Sequence, residues 1–61
     1  MSARAELSSV ATALDELARR VANIGEHLTG AERDALSADL LEVERALGNA
    51  VRRLSRALDD R

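Results

Sequence analysis

The sequence predicts an all-α fold: an antiparallel two-helix hairpin that completes a four-helix bundle by homodimerisation or by docking on a partner. Three observations predict it. The composition is that of a helix, two apolar stripes run at helical spacing, and a helix-capping signature lies between them.

The apolar residues are 12 Ala, 10 Leu, 4 Val, one Ile and one Met, with no aromatic residue and no Pro. Ala, Leu, Arg and Glu are strong helix formers, whereas strands favour β-branched and aromatic residues. The 61 residues suffice for one small domain, 1–61. A chain this short buries a small fraction of its surface and usually needs a staple or a partner. Cysteine is absent, so no disulfide or thiolate metal site is available, and the single His cannot build a zinc site within one chain.

The first helix, about 3–27, is carried by Leu7, Val10, Leu14, Leu17, Val21, Ile24 and Leu28. Their spacing alternates three and four, an unbroken heptad stripe. Ala11, Ala18 and Gly25 form a second row beside it, seven apart, small enough to let another helix approach closely. Ser2 is placed to cap this helix, with Glu6 near its positive end.

The turn, about 28–30, is signalled by Thr29 and Glu32, which fit the S/T-x-x-E capping box. Gly25 or Gly30 can supply the left-handed backbone where the first helix stops. The second helix, about 30–59, carries Leu36, Leu40, Val43, Leu47, Val51, Leu54 and Leu58. This stripe repeats every 11 residues, as do Ala35, Ala46 and Ala57 beside it. An 11-residue period gives a straight or slightly right-handed helix, unlike the heptad of the first half, and so points to a short bundle rather than a long coiled coil. One continuous helix is the rival arrangement; the capping box and the change of period at the same place argue against it.

Antiparallel pairing gives the facing residues a nearly constant index sum. Leu7 with Leu54, Val10 with Val51, Leu14 with Leu47 and Val21 with Leu40 share one sum, and Leu17 with Val43 and Ile24 with Leu36 fall one short of it. In this register Glu16 faces Arg45, Arg20 approaches Glu42, and Glu6 can reach Arg53 or Arg56. A lone hairpin cannot cover stripes this wide, because each helix shields one side of the other. The Ala11, Ala18 and Gly25 row, Leu41, Ala50 and the Ala35, Ala46 and Ala57 row are expected to stay partly wet. A two-fold dimer of hairpins is the simplest closure, and docking on a larger helical protein is the alternative.

Chemistry is hard to find. Arg45, Arg52 and Arg56 lie on one flank of the second helix with Arg53 beside them, and two such flanks in a dimer could meet a nucleotide, a DNA backbone or another anion. The simpler account is dipole complementarity: this helix is acidic early, at Glu32, Asp34, Asp39, Glu42 and Glu44, and basic late. All nine basic residues are Arg, which fits codon bias in a GC-rich bacterial genome. A net charge of −2 and the lack of aromatic residues weigh against nucleic acid as a partner. The carboxylates Asp15, Glu16, Asp39, Glu42 and Glu44 lack the Glu-x-x-His pattern of diiron bundles and fit a solvated face. His27, near the end of the first helix, complements its dipole when protonated. Ser8, Ser9, Ser37 and Ser55 lie outside any nucleophile elbow, and no phosphate loop or dinucleotide fingerprint occurs.

The expectation is therefore a protein-interaction module, not an enzyme: a small oligomerising accessory or regulatory subunit. It has no catalytic, cofactor or metal residues, and its core and interface are the stripe residues. Itself or a larger helical protein is the expected partner. The runner-up is a small regulator that binds an anionic ligand through Arg45, Arg52, Arg53 and Arg56. No apolar run is long enough to span a membrane, the helices lack interfacial aromatics, and Met1 to Glu6 lacks a signal peptide's apolar core. The cytoplasm is the expected address.

Overall fold

In a computed structural model, which describes residues 2–59, the chain is two helices joined by a short turn: α1 (Ala3–Glu26) and α2 (Gly30–Asp59). The Ser2 hydroxyl accepts a hydrogen bond from the Ala5 N–H at 3.1 Å, satisfying one of the amides that a helix start leaves open. Ser2→Ala is expected to cost about 1 kcal/mol, read by chemical denaturation.

At the other end of α1, His27 closes the helix. Its backbone N–H donates to Ile24 at 3.1 Å, and its imidazole Nδ1 donates to the Asn23 carbonyl at 2.7 Å. Of the two candidate glycines, Gly30 takes the left-handed conformation, at φ 58°. Gly25 stays inside α1. The expected capping box is not formed: among the described residues neither the Thr29 hydroxyl nor the Glu32 carboxylate takes part in a hydrogen bond. The Thr29 contribution is its carbonyl, which accepts from the Arg33 N–H at 3.4 Å. With a left-handed residue at Gly30, the chain enters α2 through the glycine backbone rather than through a side-chain cap.

The two helices pack antiparallel along their length. At the open end the Arg4 guanidinium donates to the Leu58 carbonyl, tying the start of α1 to the last turn of α2. This also places a cation at the negative end of α2.

The seam between the helices differs from the expected one. The half-buried residues are Ala11, Leu14, Asp15, Ala18, Val21, Ala22 and Gly25 in α1, Leu28 in the turn, and Leu40, Glu44, Leu47, Gly48, Ala50, Val51, Leu54 and Leu58 in α2. Within these, the rows Ala11, Leu14, Ala18, Val21, Gly25, Leu28 and Leu40, Glu44, Leu47, Val51, Leu54, Leu58 alternate three and four, with Asp15, Ala22, Gly48 and Ala50 flanking them. The heptad of α1 is kept, but α1 is rotated so that its small-residue row turns inward. The 11-residue period of α2 does not set the seam: Val43 drops out and Glu44 enters, leaving a heptad here too. The close approach that Ala11, Ala18 and Gly25 permit accounts for this choice, because helix backbones draw together where side chains are small. Leu14, Val21, Leu40 and Leu47 are all half-buried, but the helices are shifted from the expected register: a Cβ on Gly25 would lie 3.8 Å from the Glu44 carboxylate, and Ser8, Ala11 and Asp15 share a groove with Val51, Ser55 and Leu58.

The hairpin measures 47 × 17 × 12 Å. Twelve ångströms is one helix diameter, so the molecule is a single layer and has no inside. Accordingly, no described residue is fully buried. The radius of gyration is 14.4 Å, against about 10.5 Å for a compact domain of this length.

Candidate interaction surface

Turning the small row of α1 inward swings the other half of its heptad stripe outward. Val10, Leu17 and Ile24 lie on one side of the seam, and Leu36 and Val43 extend the same side on α2; all five are 42–53% exposed. The helical geometry puts these two rows on one face. They precede their seam neighbours by one residue in α1 (Ala11, Ala18, Gly25) and in α2 (Glu44), and in an antiparallel pair equal rotations of that sense reach the same face. Ala50 and Ala57 continue the α2 row toward the open end, where the face becomes shallower.

The opposite face is different. There two open grooves follow the helix boundary. One, of about 370 Å³, is lined by residues including Ala22, Gly25, Glu26, Ser37, Leu41 and Glu44. The other lies near the open end, between Ser8, Thr12 and Asp15 of α1 and Ser55 and Leu58 of α2. Leu41 is the one large apolar residue strongly exposed on this face. It stays wet, as the wide stripe implies.

Of the thirteen stripe residues expected as interface and core, the structure divides the set. Leu14, Val21, Leu40, Leu47, Val51, Leu54 and Leu58 line the seam, whereas Leu7, Val10, Leu17, Ile24, Leu36 and Val43 are exposed. The half-buried residues outside that set are Ala11, Ala18 and Gly25, together with Asp15, Ala22, Leu28, Glu44, Gly48 and Ala50. Seven-residue spacing beside the stripe was the signal for the first three.

The charged residues also sit differently. The described ion pairs of Asp15 and Glu42 are within one helix: Asp15 with Arg19 at 2.8 Å and Glu42 with Arg45 at 3.3 Å. Glu16 does not meet Arg45, Arg20 does not meet Glu42, and Glu6 meets neither Arg53 nor Arg56.

Arg52 donates to the Asn49 side chain, and Arg52, Arg53 and Arg56 share an open depression of about 420 Å³ with Asn49. Arg45 faces Glu42 instead. All four arginines are exposed, so no buried polar group converges on that depression. Among the described residues no cluster of three or more His, Asp or Glu has a metal-binding arrangement. No described helix is long and apolar enough to cross a membrane. No protein family, curated protein or solved structure matches the chain.

Proposed function

We propose that the chain is a non-enzymatic protein-interaction module, an oligomerising accessory or regulatory subunit whose working part is the Val10, Leu17, Ile24, Leu36 and Val43 face. The observation that carries this reading is a folded hairpin with no buried residue and a continuous row of bulky side chains left in water. Such a face favours association, since burying each of these side chains contributes roughly 1.5–3 kcal/mol when complete. Covering it with two further helices makes a four-helix bundle, whose core would be the present seam plus this face. Those helices come from a second hairpin or from a larger helical protein.

The anion-binding alternative has less support. Its arginines lie on an open surface, and Arg45 stands apart from the other three.

The test is concentration dependence. Thermal unfolding followed by circular dichroism is expected to shift upward across a roughly hundredfold rise in chain or partner concentration, because association stabilises only the folded state. Leu17→Asp with Val43→Asp is expected to abolish that shift while the seam residues are untouched. A cooperatively folded monomer whose melting temperature ignores concentration, and ignores these two substitutions, rules the reading out.

A further inference from the structure

We infer that a second copy of this chain covers the exposed apolar face through an antiparallel contact of α2 with α2 about Ala46, with the two turns at opposite ends. The inference rests on the interaction-module reading above and adds the partner and the element that recognises it.

The spacing within α2 alone carries the pairing. At about 100° per residue, Leu36, Asp39, Val43, Ala46, Ala50 and Arg53 fall in one sector of the helix roughly 100° wide, and Ala57 falls with them. The bulky members, Leu36 and Val43, are 43% and 42% exposed and lie toward the turn. The small members, Ala50 and Ala57, lie toward the open end. A two-fold axis at Ala46 reverses the second α2 over the first. Leu36 then faces Ala57 of the second copy, and Val43 faces its Ala50. Large side chains thus meet small ones at each level, the arrangement that lets facing helices interdigitate. Ala46 meets its own symmetry mate, and with no bulk on either side the two backbones can approach closely there. Ala46 is near the middle of α2 (Gly30–Asp59), so the two helices overlap along almost their whole length. Val10, Leu17 and Ile24 share this face, and the same axis lays the α1 row over its own mate.

Charge selects the second copy over a foreign helix. Asp39 and Arg53 flank the row in the two halves of α2, and the axis that pairs the apolar residues brings Asp39 over Arg53 of the second copy. Symmetry makes this contact twice. Among the described residues neither Asp39 nor Arg53 makes an ion pair or a side-chain hydrogen bond. They lie 14 residues apart on one helix, about 21 Å, and so cannot meet within a copy. A helix that is acidic early and basic late has its own reversed copy as a complement.

The area is sufficient. The hairpin exposes 4971 Å², whereas a globular monomer of this mass exposes about 3,900 Å². The excess is on the order of 1,000 Å², comparable with the ~800 Å² that each partner buries in a standard interface.

The experiment uses Asp39→Arg and Arg53→Asp, each on the full chain, with one variant mass-tagged for native mass spectrometry and sedimentation. Each variant alone is expected to dimerise about tenfold or more weakly than wild type, since both symmetric contacts become repulsive. Mixed in equal amounts, they are expected to form heterodimers with affinity within about threefold of wild type, because both contacts are then attractive. If a variant does not fold alone, the mixture still reports, by regaining helix and dimer together. Cysteine, absent from the chain, supplies the second readout. Ala46→Cys is expected to oxidise to a disulfide-linked dimer at least about tenfold faster than Ala35→Cys, whose symmetry mate would lie roughly 30 Å away. A wild-type dimer whose charge variants do not prefer each other, or whose cysteines link equally, overturns the α2 pairing and leaves the interaction module standing. A wild-type chain that is monomeric and poorly helical by itself overturns the second copy in favour of a different helical protein. A stable, cooperative monomer overturns both.

Discussion

The variant Leu47→Asp is expected to lose most of its helical structure at room temperature. Leu47 sits at the middle of the seam and is half-buried. A carboxylate there loses the leucine's apolar burial and is partly desolvated in the seam. The combined cost is about 3 kcal/mol or more. A single-layer hairpin has little stability to lose, and neither helix is self-sufficient in water once the seam opens. The check is far-ultraviolet circular dichroism at matched concentrations. Retention of the wild-type helix signal and of its denaturation midpoint would contradict this seam. The contrast with Val43→Asp makes the test specific. The two residues lie one helical turn apart in α2, yet Val43 is on the exposed face. Its replacement should impair association and spare the hairpin at concentrations where a monomer folds.

The second large effect is at the turn. Gly30→Val is expected to destabilise the chain by about 2 kcal/mol, because φ 58° is a conformation that costs an L-residue roughly 1–2 kcal/mol and a β-branched one more. Space is not the obstacle, since a Cβ at Gly30 would meet nothing within 4 Å. The penalty is entirely in the backbone. Gly25→Ala should act in the opposite direction. Gly25 is helical, and a Cβ there would lie 3.8 Å from the Glu44 carboxylate, an ordinary contact. Gain of helix propensity then predicts stabilisation of about 0.5–1 kcal/mol. Chemical denaturation of both variants measures the difference, and equal effects at the two glycines would show that the turn is wrongly placed at Gly30.

These paired variants mark where sequence and structure part. Two glycines, Gly25 and Gly30, were equally eligible to end α1, since each lies near the last apolar residue and both tolerate a left-handed backbone. Which one does so is decided in the fold: Gly25 stays helical, half-buried beside Glu44 of α2, and Gly30 takes the left-handed turn. The Thr29 and Glu32 pattern signalled a boundary at the right place, but the bonds it implies do not form, because Gly30 redirects the chain before a side-chain cap can close.

The same distinction governs the candidate surface. Hydrophobic periodicity identifies which residues avoid water, and it brought Leu17, Ile24, Leu36 and Val43 into the apolar set. Periodicity cannot say which edge of a wide stripe meets the neighbouring helix, since a stripe broader than 100° offers more than one docking angle. The steric choice, small residues inward, is a property of two helices together. It converted five expected core residues, Val10 with Leu17, Ile24, Leu36 and Val43, into an exposed face and left Arg20 and Glu42 unpaired with each other.

By itself, then, the sequence determined that there are two helices, where Ser2 begins the first, and that they return antiparallel. Those features follow from local propensity, capping and one-dimensional spacing, all of which act within a helix or between matched positions. Only the tertiary structure decided the rotation of α1 about its axis, the glycine that turns the chain, and the charges left unbridged on the edges. Each of these depends on how closely two backbones approach, a distance set by the small side chains of Ala11, Ala18 and Gly25 in combination with the leucines of the facing helix.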